Sequence, residues 1–149
     1  MSSGEGAMRR AHGAMFVSAS IYLAGLILHT ADHVRRGIGV LTTPVQILGA
    51  LGGVAGLAAV WLVYTRHPKA PIVAAIVGLQ AAVGVTAVHF PHRWGVLSDP
   101  LIRSAGTGVT SFSWAVVLLE IIGALALGIS GLLALRSEDA PISLGSSAT

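Results

Sequence analysis

Four runs of about twenty or more predominantly apolar residues, separated by two short polar connections and one longer one, divide this chain, and each is long enough to cross a bilayer as a helix. They cover about 11–36, 43–65, 71–90 and 111–136. In lipid every backbone donor and acceptor must be satisfied within the chain, which leaves the helix as the natural solution for isolated apolar runs. The expected fold is therefore all-α: an integral membrane four-helix bundle, running up-down-up-down, forming a single domain with polar tails. Of the 149 residues, 54% are apolar and only 10% charged. A soluble domain of this size would need more charge than that to cover its surface.

Local signals set the ends of the runs. Gly37 and Gly39 close the first, and Thr43 as N-cap with Pro44 at the first helical position opens the second. Arg66-His67-Pro68-Lys69 reads as a tight turn. The third run opens at Pro71 and ends before Pro91, because a residue preceding proline is pushed out of the helical region. The Ser- and Gly-rich stretch from Met1 to Gly6 and the polar stretch from Ser137 to Thr149 read as disordered tails. Arg9 and Arg10 precede an apolar stretch with no small-x-small cleavage site after it, so the first run reads as a retained helix. Gly49 and Gly53, and likewise Gly52 and Gly56, are four apart and suit close helix packing, while Gln46 and Gln80 suit interhelical hydrogen bonds. Trp61, Tyr64, Trp94 and Trp114 fall near run ends, as interfacial aromatic residues do.

The net charge of +3 comes from basic residues scattered in small groups between apolar runs. No nucleic-acid-binding face follows from that pattern. Short connections place Arg9, Arg10, Arg66, Lys69 and Arg136 on one side and Arg35, Arg36, Arg93 and Arg103 on the other. By the positive-inside rule the termini are expected in the cytoplasm, across the cell membrane, on a margin of one residue. The partners expected are the lipid bilayer, a lipophilic small molecule, and further copies or subunits in a membrane assembly. The absence of cysteine excludes disulfides, thiol redox chemistry and iron–sulfur ligation.

The candidate chemistry lies at one end of the bundle. His29 and His33 are four apart near the end of the first run, with Asp32 between them, and His89 and His92 bracket the end of the third. Runs one and three point the same way, so these residues share one membrane level. At about 100° per residue His33 lies roughly 40° round from His29 and Asp32 about 60° to the other side, so one face presents all three. That face continues through Gly25, Tyr22 and Ser18, a stripe suited to the bundle interior. Glu120 lies some nine residues into the fourth run, roughly 13 Å below its start at about 1.5 Å per residue. A carboxyl group there is costly in hydrocarbon and is a functional candidate for that reason. Its helical neighbours Ser113, Gly123, Ala124 and Gly131 are small, which points it inward. The long connection from Pro91 to Thr110 reads as a lid over the histidines, with Arg93 and Trp94 at its rim and a short helix beginning at Ser98-Asp99-Pro100.

Imidazole and carboxylate suit zinc, iron, copper or manganese, and bundles build such sites from inward side chains on facing helices. The metal-ligand set expected is His29, Asp32, His33 and His89, with His92 and Glu120 as further ligands or proton-handling groups. Were the site catalytic, the ion would act as Lewis acid or redox centre on a lipophilic substrate, with Glu120 as acid or base; binding is preferred. Three other readings stand beside this one. His29 and His89 could ligate a b-type haem in an electron carrier or quinone-interacting anchor, Glu120 could carry the proton of a small transporter, or the polar groups could only pack, in an accessory subunit. The simplest version of the last has the His29–Arg36 stretch as a capped helix end in which Asp32 pairs with Arg36, and Glu120 as a neutral acid bonded to Tyr22, Thr86 or a backbone carbonyl.

Overall fold

A computed structural model describes residues 3–92, 95–102 and 106–138. It contains α1 (Ser3–Arg36), α2 (Thr43–Tyr64), α3 (Ala70–His89) and α4 (Ser111–Glu138), with a short 3₁₀ turn over Ile38–Val40. Each of the four contains a segment long and apolar enough to cross a membrane. Helix α1 starts at Ser3 rather than near residue 11, because no proline interrupts the run and an established helix extends one hydrogen bond per residue. The expectation of a disordered start therefore fails from Ser3 onward. Helix α4 continues to Glu138, and the expected tail beyond it lies outside the described residues.

The ends follow the local chemistry with small corrections. Gly37 adopts φ 89° as α1 ends, a left-handed conformation that costs little without a Cβ. Thr42 rather than Thr43 caps α2, its hydroxyl accepting from the Val45 N–H at 3.4 Å. Helix α3 stops at His89, with Phe90 following as its C-cap ahead of Pro91.

Helix α4 packs most closely against α1 and α3, while α2 touches α1 and α3 more sparsely. Glycine makes the difference. A methyl group placed on Gly25 would stand 2.5 Å from the Glu120 Cα, and one on Gly123 would stand 2.6 Å from the Tyr22 nitrogen, so the α1 and α4 backbones meet directly. Gly78 lies against Gly128, and Gly131 against Ala75, in the same way between α3 and α4. Small residues permit such approach where van der Waals packing must hold helices together. The α2 glycines behave otherwise than expected: Gly49, Gly52 and Gly53 border open space, and only Gly56 meets a neighbour, Tyr22. Gln46 donates to the carbonyls of Ile38 and Leu41 in the preceding turn rather than to another helix, and Gln80 is exposed.

Large apolar side chains stand outward on every helix, including Ile27, Val54, Val83 and Ile122. The interior combines Met15, Ala19, Tyr22, Val60, Val63, Ala74, Ala124 and Leu127. The buried polar groups His29, Asp32, His89, Ser98, Asp99, Ser113 and Glu120 gather toward the end where α1 and α3 finish and α4 begins.

Candidate metal centre

The last two turns of α1 place His29 and His33 on one face, and the C-terminal residue of α3, His89, turns in against them. The ring centroids are 4.5 Å apart for His29 and His33, 4.8 Å for His29 and His89, and 5.8 Å for His33 and His89. One ring nitrogen from each of the three lies within 4.8 Å of the others. Around a tetrahedral ion with bonds of about 2.0–2.1 Å, neighbouring ligand atoms stand roughly 3.4 Å apart. The three imidazoles, with ligand atoms no more than 4.8 Å apart, approach that spacing from slightly outside it.

Two of the three rings are oriented by the protein. His29 Nδ1 is hydrogen-bonded to Glu120 Oε2, the side chain that Gly25 brings near by letting α4 approach α1. With the carboxylate as acceptor, Nδ1 carries the proton and Nε2 is left with its lone pair. His89 Nδ1 donates to the backbone carbonyl of Asp99 at 2.8 Å, which leaves its Nε2 likewise unprotonated in the neutral ring. Neither His29 Nε2 nor His33 Nδ1 makes a hydrogen bond, although both atoms are buried. Buried polar atoms are nearly always satisfied, and an ion-binding role is one of the few explanations for those that are not.

The connection after α3 closes over the rings. The Asp99 N–H donates to the Val88 carbonyl at 3.0 Å and the Leu101 N–H to the His89 carbonyl at 2.9 Å, satisfying two carbonyls that a helix C-terminus leaves free. Arg36, its side chain 1% exposed, grips the Asp99 carboxylate with two parallel bonds of 2.7 and 2.8 Å and donates to the Thr107 carbonyl at 3.1 Å. This is the two-pronged geometry in which Arg binds carboxylate most strongly. Arg35 reaches the Gly108 carbonyl at 2.8 Å and Ser113 Oγ at 3.1 Å. Burial pushes the Asp99 carboxyl up, but the hydrogen bonds and charge of Arg36, with the nearby imidazoles, outweigh it and hold Asp99 below the usual carboxylate range.

The residues singled out from sequence divide into three groups. His29, His33 and His89 come together. Glu120 stands behind His29 rather than beside it as a further ligand, and it bonds neither Tyr22 nor Thr86; the Thr86 hydroxyl donates to Ala82. Asp32 and His92 are not among the three converging imidazoles, although Asp32 is buried and its Oδ2 makes no hydrogen bond. Asp32 pairs with Arg35, three residues on, at 2.7 Å rather than with Arg36, because Arg36 is taken by Asp99. His92 is exposed beyond Pro91. A covering loop is present, but Asp99 and Pro100 are irregular chain rather than a helix start, and Arg93 and Trp94 lie outside the described residues.

Asp99 is the site residue that sequence reasoning missed. Its Oδ2 lies 3.8 Å from His33 Nδ1 and 3.7 Å from His89 Nδ1. Two signals pointed to it: an acidic residue in the loop placed above the histidines, and an arginine in the last turn of α1 that burial would oblige to find a counter-charge. Comparison with protein-family models, curated proteins and solved structures finds no match.

Proposed function

We propose that this chain is an up-down-up-down integral membrane protein that binds one transition-metal ion through His29, His33 and His89 close to one face of the bilayer. The observation that carries the reading is the convergence of three imidazoles from two helices, with His29 Nε2 and His33 Nδ1 buried and free of hydrogen bonds. Outward apolar side chains on all four helices support insertion, since a surface of that kind in water would drive aggregation. Neutral imidazoles suit zinc, copper, iron or nickel. When bound, the ion would supply Lewis-acid or redox chemistry.

Glu120 in this reading is a supporting residue. A carboxylate accepting from the far nitrogen of a ligating imidazole fixes the tautomer, aims the ring and raises its basicity. Its engagement with His29 favours that role over a free proton carrier. The 4.8 Å edge-to-face packing of His29 and His89, with His33 beside both, favours an ion over a haem plane between two axial rings. Cytoplasmic termini, a cell-membrane location and assembly with further copies or subunits remain part of the proposal.

Elemental analysis of the protein extracted from membranes provides the test. About one transition-metal ion per chain is expected, falling to background in the His29→Ala, His33→Ala double variant. Equal metal content in wild type and the folded double variant would overturn the reading.

A further inference from the structure

Three imidazoles leave one position of a tetrahedral site to fill, and structural and catalytic sites differ in what fills it. Structural zinc sites close the shell with protein ligands, whereas catalytic ones keep a place for water or substrate. The Glu120 carboxylate is engaged by His29 Nδ1 on the far side of that ring, and the carboxylate that faces the other two rings belongs to Asp99. Its Oδ2, 3.8 Å from the hydrogen-bond-free His33 Nδ1, is within about half an ångström of the roughly 3.4 Å spacing of neighbouring ligands around zinc. The Asp99 side chain is 6% exposed, so little water competes for that oxygen. Its carbonyl is already fixed by His89, which ties the loop to the same ring cluster.

We infer that Asp99 Oδ2 is the fourth ligand, closing a three-histidine, one-carboxylate shell around a divalent ion of the zinc type. The inference rests on the metal reading above and gives it a direction: a closed shell holds or stores an ion rather than presenting it to a substrate. Arg36 makes the arrangement workable. Its Nη1 bonds Oδ2 at 2.8 Å and its Nη2 bonds Oδ1 at 2.7 Å; a bound ion would replace the first of these bonds and leave the second to hold the carboxylate. The carboxylate then binds through one oxygen and is held in place by its other, the kind of outer support that metal ligands usually receive. Arg36 is a positioning residue in this scheme.

Cobalt(II) titration of the full chain, purified in detergent, tests the assignment, because four-coordinate cobalt absorbs far more intensely in the visible than six-coordinate cobalt. Wild type should give the intense four-coordinate spectrum. Asp99→Asn should shift that spectrum and lower affinity by more than about a hundredfold, beyond the 10–100-fold that loss of an outer partner costs. Arg36→Gln, which keeps the carboxylate, should retain the four-coordinate spectrum and lose about 10–100-fold. Asp99→His, which restores a fourth donor, should recover binding with a displaced band, and it carries the test should Asp99→Asn fail to fold. Equal losses in Asp99→Asn and Arg36→Gln with unchanged band shape would reduce Asp99 to a loop latch and overturn the inference. So would an Asp99→His protein whose band is that of wild type. Absence of cobalt and zinc binding to wild type would instead remove the metal reading itself.

Discussion

Helix α2 is as apolar as α3 and a little longer, yet the two differ in what they contribute. The buried residues of α2 are Val45, Gly56, Ala59, Val60 and Val63, with no polar side chain among them. Helix α3 delivers His89 into the cluster, α1 delivers His29 and His33, and α4 delivers Glu120 behind them. The glycines show the same division. Gly25 of α1, Gly78 of α3 and Gly123, Gly128 and Gly131 of α4 let backbones touch, while Gly49, Gly52 and Gly53 of α2 face open space. Apolar length is enough to make a span, but a buried polar site needs helices close enough to shield and pair its groups, because an unpaired polar atom in a dry interior costs several kcal/mol.

The largest effect should come from filling one of the contact glycines. Gly123→Leu forces a branched side chain into the α1 backbone, where even its Cβ would stand 2.6 Å from the Tyr22 nitrogen. Neither flanking backbone can rotate away as a side chain can, so the cost should exceed the roughly 1–3 kcal/mol of ordinary overpacking. The expected outcome is loss of the folded bundle in denaturant titration of detergent-solubilised protein. Gly52→Leu on α2 should shift the same transition by no more than about 0.5 kcal/mol, as a substitution away from packed features does. Equal damage from both would erase the distinction between the two regions.

A smaller effect is expected from the residue that links packing to chemistry. Glu120→Gln keeps the volume of the side chain but replaces a carboxylate acceptor with an amide, weakening its hold on the His29 Nδ1 proton. Zinc affinity by isothermal titration should fall about 10–100-fold, the usual cost of losing an outer-shell partner, with the fold retained. An unchanged affinity would show that the His29–Glu120 contact serves the fold alone and would detach α4 from the site.

These contrasts also explain how far the sequence was legible. The four spans, and the end at which the histidines meet, follow from apolar length and from the i, i+4 spacing of His29 and His33, because both are local properties. The inward stripe of Ser18, Tyr22 and Gly25 was legible for the same reason, and all three are buried. Which glycines pack was not, since four-residue spacing is shared by Gly49 and Gly53 and says nothing about which neighbour approaches. Asp99 was hidden by its neighbours: between Ser98 and Pro100 it has the local look of a helix cap, and only the burial of Arg36 across the loop gives it another task. The partner of Asp32 was hidden too, because helical spacing alone cannot tell a carboxylate that pairs with Arg35 from one that pairs with Arg36.

The smallest effect separates two histidines that the sequence presents as a pair. His89 ends α3 and is 2% exposed, its Nδ1 bound to the Asp99 carbonyl. His92 follows Pro91, which takes the chain off the helix axis and leaves the ring outside the cluster. His92→Ala should therefore change zinc affinity by less than roughly twofold, the range of about 0.5 kcal/mol typical of surface substitutions. His89→Ala removes one of three imidazoles and should reduce binding far more. A His92→Ala protein as impaired as His89→Ala would mean that the loop refolds on metal binding to bring His92 inward. The fourth position would then belong to an imidazole rather than to Asp99, and the closed shell would be built from histidine alone.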